Sequence, residues 1–359
     1  MTKIALIADT HFGIRNDSPV FHDYFKASFQ FFFEYLQENQ IKHVIHLGDL
    51  FDRRKYLSYL TSAVCRTQFL LPLQNNNIET HIIAGNHDHY YTNTYEVNSL
   101  DEVVGNRYSN IKTYNRPQTI TIDNLDILLL PWINQANKDE TIKEIQNTKA
   151  QVVIGHLELS GFQMYKGVSS DHGEETKTYD KFDLVFSGHY HHKSSVGNIH
   201  YIGAFAEYTW ADFNDSRGFT VFDTETREFE FIKNPKSIYK MIPYDDVKTP
   251  DIIQKIKSTD FSQYKNTYVK VLCIKRENTF AFDMLIDALY KAGPVDISVV
   301  EDISTFTDNQ EDDVVDQAQD TTTILSSYIK GLTLPVDNDK MVNYMRSIYN
   351  DAISMEHTE

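Results

Sequence analysis

Five short clusters of acid, amide and imidazole side chains occur between residues 9 and 191. They are Asp9-Thr10-His11, Gly48-Asp49-Leu50-Phe51-Asp52, Gly85-Asn86-His87-Asp88, Gly155-His156 and Gly188-His189-Tyr190-His191. These ligand types, without thiolate, suit manganese, magnesium or iron better than a structural zinc site. A carboxylate such as that of Asp49 can bridge two metal ions about 3.5 to 4 Å apart, which activate water and neutralise phosphate oxygens. The sequence therefore predicts a two-metal site for phosphoryl transfer.

The clusters differ in how selective they are. A lone Gly-His or Asp-x-His also occurs in ordinary loops, whereas Gly-Asn-His-Asp is more selective. All five follow apolar runs, in one order, which ordinary loops seldom match. We expect other histidines to have structural roles, namely His22, His43, His46, His81 and His200, while His89, His172 and His192 lie near the site without an assigned role.

The elements that position these clusters follow an alternating pattern of strands and helices. Apolar runs predict strands at residues 4–8, 43–47, 80–84, 127–132, 152–155 and 184–187. Between the first two, Phe21, Phe25, Phe29, Phe32, Phe33 and Leu36 predict a core helix at 3.6-residue spacing. Because the carboxyl ends of strands converge on one crevice in open α/β sheets, we expect an α/β fold that brings the clusters together.

The remaining sequence predicts further units. Hairpins are expected at residues 198–203 and 219–232, which would complete a first domain of residues 1–235. Residues 236–304 predict a smaller α+β domain with strands at 267–274 and 295–300 and a helix at 280–291. An acidic linker at 305–320 and two amphipathic helices within 321–359 follow. Such a tail is expected to dock on its own body or on a partner helix.

Charge and composition limit how the protein could contact DNA and where it could act. The formal charge of −17 argues against a surface coated in basic groups, so DNA contact would be local or shared with a basic partner. Cys65 and Cys273 are expected to be buried apolar residues. No stretch approaches the roughly 18 apolar residues that span a bilayer, and the amino terminus begins a strand, so we expect a cytoplasmic protein without a membrane partner.

The order of these motifs resembles the calcineurin-like metallophosphoesterase superfamily. More narrowly, the Gly-Asp-Leu-Phe-Asp run, Tyr201-Ile202-Gly203, Arg217-Gly218-Phe219 and the small following domain resemble SbcD-type nuclease subunits of double-strand-break repair complexes, above all their tailed-phage versions. The resemblance implies a four-layer α/β/β/α sandwich and a capping domain that helps to select DNA. It also implies a tail that grips the coiled-coil base of an SMC-like ABC-type ATPase, in a heterotetramer built on a homodimer. A phage protein of this kind would act in the cytoplasm of the bacterial host.

The resemblance also assigns roles to residues. One metal would be held by Asp9, His11, Asp49 and His191, and the other by Asp49, Asn86, His156 and His189, with Mn²⁺ expected and Mg²⁺ as the alternative. His87 would act on the leaving oxygen as general acid or transition-state stabiliser, and Asp88 would orient it.

Asp52 departs from the pattern of some members, which have histidine there, so a histidine-specific role does not transfer. Asp52 is expected to support Arg53 or Arg54, which are candidate phosphate contacts, with a surface ion pair as the alternative. Further candidates around the cleft are Lys166, Lys177, Lys181 and Lys193, for which solvated surface lysines are the alternative.

The leading hypothesis is a two-metal DNA nuclease of recombination and repair, with exonuclease action on duplex ends and endonuclease action on single strands or hairpins. A metal-dependent phosphatase or small-molecule phosphodiesterase would use nearly the same metal site, but it has little need of a partner-binding tail. An inactive DNA-end scaffold is a third alternative, and the presence of every expected ligand together with His87 weighs against it.

Overall fold

The structure is a computed structural model, and it describes residues 2–170, 173–301 and 341. Its described residues from 2 to 301 belong to one compact unit. The predicted linker, the predicted helical tail apart from Met341, and His172 lie outside the described residues. In the part of the chain that is described, no helix is long and apolar enough to cross a membrane.

The described strands and helices alternate through the first half of the chain, as predicted. The strands are β1 (Lys3–Ile7), β2 (His43–His46), β3 (Glu79–Ile83), β4 (Ile111–Tyr114), β5 (Gln118–Ile122), β6 (Leu125–Leu130), β7 (Val152–Gly155), β8 (Gln163–Tyr165), β9 (Val168–Ser169), β10 (Leu184–Ser187), β11 (Ser194–Val196), β12 (Ile199–Tyr201), β13 (Gly218–Asp223), β14 (Phe229–Lys233), β15 (Tyr239–Asp245), β16 (Tyr268–Lys275) and β17 (Asp296–Val300). The helices are α1 (Ile14–Asp17), α2 (Pro19–Glu38), α3 (Tyr59–Cys65), α4 (Leu71–Asn75), α5 (Lys138–Asn147), α6 (Ile252–Ser258) and α7 (Thr279–Ala292). A π-helical turn, Arg66–Leu70, joins α3 to α4.

Two six-stranded sheets form the centre of the fold. The first has the order β14-β13-β1-β2-β3-β4, with β1 to β4 parallel and β13 antiparallel to β1. The second has the order β11-β12-β10-β7-β6-β5, with β12, β10, β7 and β6 parallel and antiparallel strands at both edges. Each sheet therefore has a block of parallel strands whose carboxyl ends share one edge.

Side-chain alternation along the strands divides the core into layers. On β1, Ile4 and Leu6 join an apolar core with Leu129 and Ile154 of the second sheet. The intervening residues of β1 point to the other face, where they pack with the buried residues of α2. The outer face of the second sheet has its own core around Val153 and Val185. This arrangement confirms the predicted α/β/β/α sandwich.

The aromatic face of α2 anchors the loop that follows β1. Phe21, Phe25, Phe29, Phe32 and Leu36 are buried as predicted, and Phe33 is partly buried. Phe12 stacks on Phe29 with ring centroids 5.3 Å apart and donates its backbone N–H to Leu50 O at 2.9 Å. Burial of one such ring contributes about 1.5–3 kcal/mol. The helix thus fixes the segment next to His11.

A separate three-stranded parallel sheet, β15-β16-β17, follows the sandwich. Helices α6 and α7 cover one face of it, with a core that includes Tyr244, Val271 and Leu285. The predicted strands and helix of this region are confirmed, whereas β15 and α6 were not predicted. This region has a hydrophobic core of its own, while the predicted domain of residues 236–304 stays a prediction.

Candidate metal centre

The polar clusters all follow parallel strands and lie at their carboxyl ends. Asp9, Asp49 and Asn86 come after β1, β2 and β3 of the first sheet, whereas His156 and His189 come after β7 and β10 of the second. The structure brings all seven predicted metal ligands together, buried between the two sheets at this edge.

The first ligand cluster consists of Asp9, His11 and His191. One ligand atom from each lies within 4.8 Å of the others, and the Nε2 atoms of His11 and His191 are 3.1 Å apart. The backbone N–H of His189 donates to Asp9 Oδ1 at 3.0 Å, which ties the two sheets together. Burial lowers the pKa of His191 to about 3, which keeps the imidazole neutral and able to coordinate a cation.

The second ligand cluster consists of Asp49, His156 and His189, with the Asn86 amide among them. Asn86 Oδ1 lies 2.9 Å from His156 Nε2 and 3.0 Å from His189 Nδ1. His156 Nδ1 donates to the Leu47 carbonyl at 2.7 Å, which turns Nε2 towards the cluster. A divalent cation at this point would take all three atoms as ligands, so the donor set fits a metal ion.

The electrostatics of the second cluster favour a positive charge. Burial alone would lower the pKa of His156, but the carboxylates of Asp49 and Asp9 outweigh it and raise that pKa to about 9. Asp49 Oδ2 lies 3.5 Å from His156 Nε2. In the absence of a metal, a proton on His156 can balance these acids. A divalent cation would supply the same charge more completely and displace that proton.

Asp49 lies between the two clusters. Besides its contact with His156, its Oδ2 is 3.8 Å from His11 Nε2, while its Oδ1 accepts the His87 backbone N–H at 2.8 Å. Two glycines leave room for Asp49 and His156. A Cβ at Gly85 would be 2.2 Å from Asp49 Oδ1, and one at Gly48 would be 2.4 Å from His156 Nδ1. This position fits a carboxylate that bridges two ions.

Several candidate ligands have left-handed backbone conformations. The φ angle is 51° at Asp9, 44° at His11, 55° at Asp49 and 85° at His189. Such angles are uncommon outside glycine, and Asp and His are among the residues that tolerate them best. Each costs on the order of 1–2 kcal/mol, which the packed surroundings must supply. Strain of this kind is typical of functional sites.

His87 and Asp88 have different surroundings. His87 Nδ1 donates to the carbonyl of Asp52 at 2.6 Å, and its ring stands edge-on to His11 with centroids 4.9 Å apart. Burial lowers the pKa of His87, but Asp49 and the Asp52 carbonyl outweigh it, so the net shift is upward. The Asp88 carboxylate instead accepts the backbone N–H groups of Gly85 at 2.9 Å, and of Leu50 and Phe51 at 3.3 Å. Asp88 therefore holds the loops that carry Asp49 and Asn86.

The three predicted substrate contacts after Asp49, which are Asp52, Arg53 and Arg54, have different surroundings. The Asp52 carboxylate lies 3.7 Å from His11 Nδ1, so it faces a candidate ligand, and burial raises its pKa to about 6. Arg53 packs over the exposed Tyr56 ring at 4.7 Å. Arg54 lies 5.5 Å from the centre of the Trp132 ring, and its Nη2 is 3.0 Å from the outer end of the Asn86 amide. Of the two arginines, Arg54 is the one beside the metal centre.

The predicted lysines around the cleft are not equivalent. Lys181 donates to the carbonyls of Gln146 at 3.2 Å and Thr148 at 3.4 Å, near the starts of β7 and β10 and hence at the opposite end from the site. Its prediction as a cleft residue is wrong, because the sequence does not reveal which end of a strand a flanking residue occupies. Lys166, Lys177 and Lys193 are exposed.

Sequence reasoning missed a buried polar network behind the first cluster. The Tyr208 hydroxyl donates to the Asp9 carbonyl, and its ring contacts those of His11 and His191 at 5.4 and 5.5 Å. Tyr208 N–H donates to Asp212 Oδ2 at 2.6 Å. The Arg217 guanidinium pairs with Asp212 and donates to the His191 carbonyl. The spacing of these residues carries no recognisable signal.

The structural roles expected for other residues are confirmed where contacts are described. His46 Nε2 bonds the Thr10 hydroxyl at 2.9 Å, and His81 Nδ1 bonds the Tyr114 hydroxyl at 2.8 Å. Cys65 and Cys273 are free thiols and buried. These side chains support the fold and leave the ligand clusters to the seven predicted residues.

Comparison with known proteins identifies the family of this chain. Residues 2–193 match the family described as calcineurin-like phosphoesterase. Exonuclease subunit 1 of Enterobacteria phage T4 is 31% identical over 357 residues, which cover 98% of this chain and 99% of that protein. The SbcD subunit of the SbcCD nuclease from Staphylococcus epidermidis is 24% identical over 265 residues, covering 63% and 67%. A solved archaeal phosphodiesterase aligns with a TM-score of 0.35 and 16% identity, covering 65% and 99%. The chain belongs to the calcineurin-like phosphoesterase family.

Proposed function

We propose that this protein is a two-metal nuclease that hydrolyses phosphodiester bonds in DNA. The observation that carries the proposal is the pair of buried ligand clusters with Asp49 between them. The names of the two relatives, an exonuclease subunit and a nuclease subunit, support DNA or RNA strands over small phosphate esters as the substrate class. Exonuclease action on duplex ends and endonuclease action on single strands or hairpins belong to this proposal.

The proposed ligands divide into two sets that share Asp49. Asp9, His11, Asp49 and His191 would hold one ion, and Asp49, Asn86, His156 and His189 the other. When bound, the ions supply a nucleophilic hydroxide and neutralise phosphate charge. The four imidazoles favour Mn²⁺ over Mg²⁺, because Mg²⁺ prefers oxygen ligands.

We assign His87 to the leaving oxygen. Its Nδ1 donates to the Asp52 carbonyl, so a proton held or donated at the site would be carried by Nε2. Asp88 is a positioning residue in this proposal, because its carboxylate secures the turns on either side of Asp49. Arg54 is the proposed phosphate contact, and Asp52 supports His11 and His87 rather than the substrate.

Partners are also part of the proposal. The names of the relatives describe subunits, which supports a complex with an SMC-like ABC-type ATPase through residues 321–359. Homodimerisation through helices of the first domain is supported by an apolar surface at the start of α3, where Tyr59 is 97% and Leu60 is 51% exposed. The protein would act in the cytoplasm, in a bacterial host if it is encoded by a phage.

Nucleotide release from a labelled linear duplex tests the proposal. Purified chain would be incubated with Mn²⁺, with Mg²⁺ or with chelator, alongside His87→Ala. The matched control is His43→Ala, at the start of β2 and thus at the other end of the strand that leads to Asp49. We expect Mn²⁺-dependent release that falls at least about 100-fold in His87→Ala and persists in His43→Ala, as loss of a general acid predicts.

Other results would favour the alternatives. Rapid metal-dependent cleavage of a phosphomonoester without release from DNA would identify a phosphatase. Inactivity on both substrates, with metal bound and with the ATPase subunit present, would indicate a DNA-end scaffold. The half-buried position of His87 next to the ligands argues against the scaffold.

A further inference from the structure

A cavity of about 510 Å³ lies at the same sheet edge as the metal centre. Its walls come from the segment after β6, the start of α5, the segment after β7 and the segment that precedes β10, and they include Trp132, Asn134, Gln135, Lys138, Glu158 and Glu174. The backbone N–H of Trp132 donates to the carbonyl of Ala84 at 2.8 Å, and Ala84 lies two residues before Asn86. Glu158 lies two residues after His156. The cavity and the second ligand cluster are therefore neighbours.

The Arg54 side chain lies between the proposed metal ligands and the cavity wall. Arg54 Nη2 is 3.0 Å from the Asn86 amide, and its guanidinium carbon is 5.5 Å from the centre of the Trp132 ring. The His89 ring is tilted against the indole, with ring centroids 5.8 Å apart. A phosphate bound beside Asn86 and Arg54 would thus have its nucleoside within reach of Trp132.

The charges around the cavity indicate which part of a nucleotide it accepts. Two carboxylates, Glu158 and Glu174, line the cavity together with the ammonium of Lys138, which lies 3.6 Å from Glu174. A net acidic wall repels phosphate and accepts hydrogen bonds from amino groups. Asn134 is only 6% exposed, and its Nδ2 has no hydrogen-bond partner among the described residues, so a small rotation would provide a donor. A ring to pack against, carboxylates that accept hydrogen bonds and an amide that donates one together suit a neutral heterocycle.

We propose that this cavity is a nucleobase subsite, in which Trp132 packs on the base of the nucleotide whose phosphate lies at the metal centre. The inference rests on the proposed nuclease function and specifies its substrate contacts. The volume lies within the roughly 300–1,000 Å³ of ordinary ligand sites. Bases that carry an exocyclic amino group, namely adenine, cytosine and guanine, bind better than thymine because Glu158 and Glu174 accept from that group.

Intrinsic fluorescence provides a direct test, because Trp132 and Trp210 are the two tryptophans of the chain. Trp210 packs on Tyr239 at 4.8 Å, beside the small sheet. Trp210→Phe leaves Trp132 as the reporter, and Trp132→Phe is the matched control. With Mn²⁺ present, we expect dAMP and dCMP to quench Trp132 emission, dTMP to require about tenfold higher concentration, and deoxyribose 5-phosphate to have no effect.

Kinetics separate this inference from the proposed function. Trp132→Ala is expected to raise KM for a short oligonucleotide about tenfold while kcat changes little, as loss of base contact predicts. Metal-dependent DNA hydrolysis with equal quenching by dAMP and deoxyribose 5-phosphate would overturn the subsite and leave the nuclease. Base-dependent quenching of Trp132 without hydrolysis of any DNA would support the subsite and remove the nuclease. Quenching that persists in Trp132→Phe would also refute it.

Discussion

Replacement of Gly85 by alanine is expected to damage the metal centre without unfolding the protein. The backbone at Gly85 has a φ of −91°, which any residue can adopt, so the substitution introduces steric conflict and no backbone strain. The new Cβ would lie 2.2 Å from Asp49 Oδ1 and 2.3 Å from Asp49 N. The conflict is therefore aimed at the proposed bridging carboxylate.

The size of the effect follows from these distances. Ordinary van der Waals contact begins at 3.4 Å, so Asp49 or the Gly85 turn must move by about 1 Å. A displacement of about 1 Å at a catalytic group costs roughly 100-fold in rate. Overpacking of a buried position costs about 1–3 kcal/mol of stability, which a domain of this size tolerates. We expect kcat to fall about 100-fold and Mn²⁺ to bind more weakly.

Calorimetric titration with Mn²⁺ and DNA hydrolysis by the same preparations would measure both effects. Gly197→Ala is the control, because its Cβ meets nothing within 4 Å and only its φ of 59° opposes the change, at about 1 kcal/mol. It should lose stability and keep its metal. Wild-type Mn²⁺ affinity and kcat in folded Gly85→Ala would show that Asp49 does not require this close contact, and the bridging assignment would fail.

Three further perturbations test other parts of the chain. Tyr208→Phe removes the hydroxyl that donates to the Asp9 carbonyl, so one Mn²⁺ is expected to bind more weakly, by about 1 kcal/mol. Two unaltered sites in calorimetry would contradict it. Burial lowers the folded-state pKa of His81 to about 4, so its stabilisation is complete above its unfolded pKa and is lost as pH falls towards 4. Wild type should lose about 2 kcal/mol at pH 5 from this group, and urea melts of His81→Gln with the same pH slope would refute the cause. Deletion of residues 321–359 should abolish capture of the ATPase subunit while weak metal-dependent nuclease activity remains, and undiminished capture in a pull-down would exclude the tail as the contact.

The strands that lead to the ligands could be predicted because each is an unbroken apolar run that ends in a polar residue. By contrast, half of the side chains in β4 and most of those in β5 are exposed or half-buried, so these strands lack that signal. Strand β15 contains Pro243, which sequence rules assign to edges or loops, and it is indeed at the edge of its sheet. Strands at the edge of a sheet bury fewer side chains, so no unbroken apolar run marks them in the sequence.

The site itself was predictable to the level of ligand type and order. The network of Tyr208, Asp212 and Arg217 was not, since its partners Asp9 and His191 are distant in the sequence and joined only by the fold. Nor did motif order reveal that His87 is held by a backbone carbonyl of Asp52. Such contacts depend on three-dimensional proximity and leave no local pattern.

The contribution of both sheets to each proposed ion makes metal loading part of the folding equilibrium. Asp9 follows a strand of the first sheet and His191 a strand of the second, so an ion between them would act as a removable cross-link through the sandwich. For an ion that binds only the folded state, each tenfold rise in free metal above its dissociation constant adds about 1.4 kcal/mol of stability. A shortage of metal would then lower the stability of the folded protein, and with it the lifetime of the folded state, as well as abolish its catalytic activity.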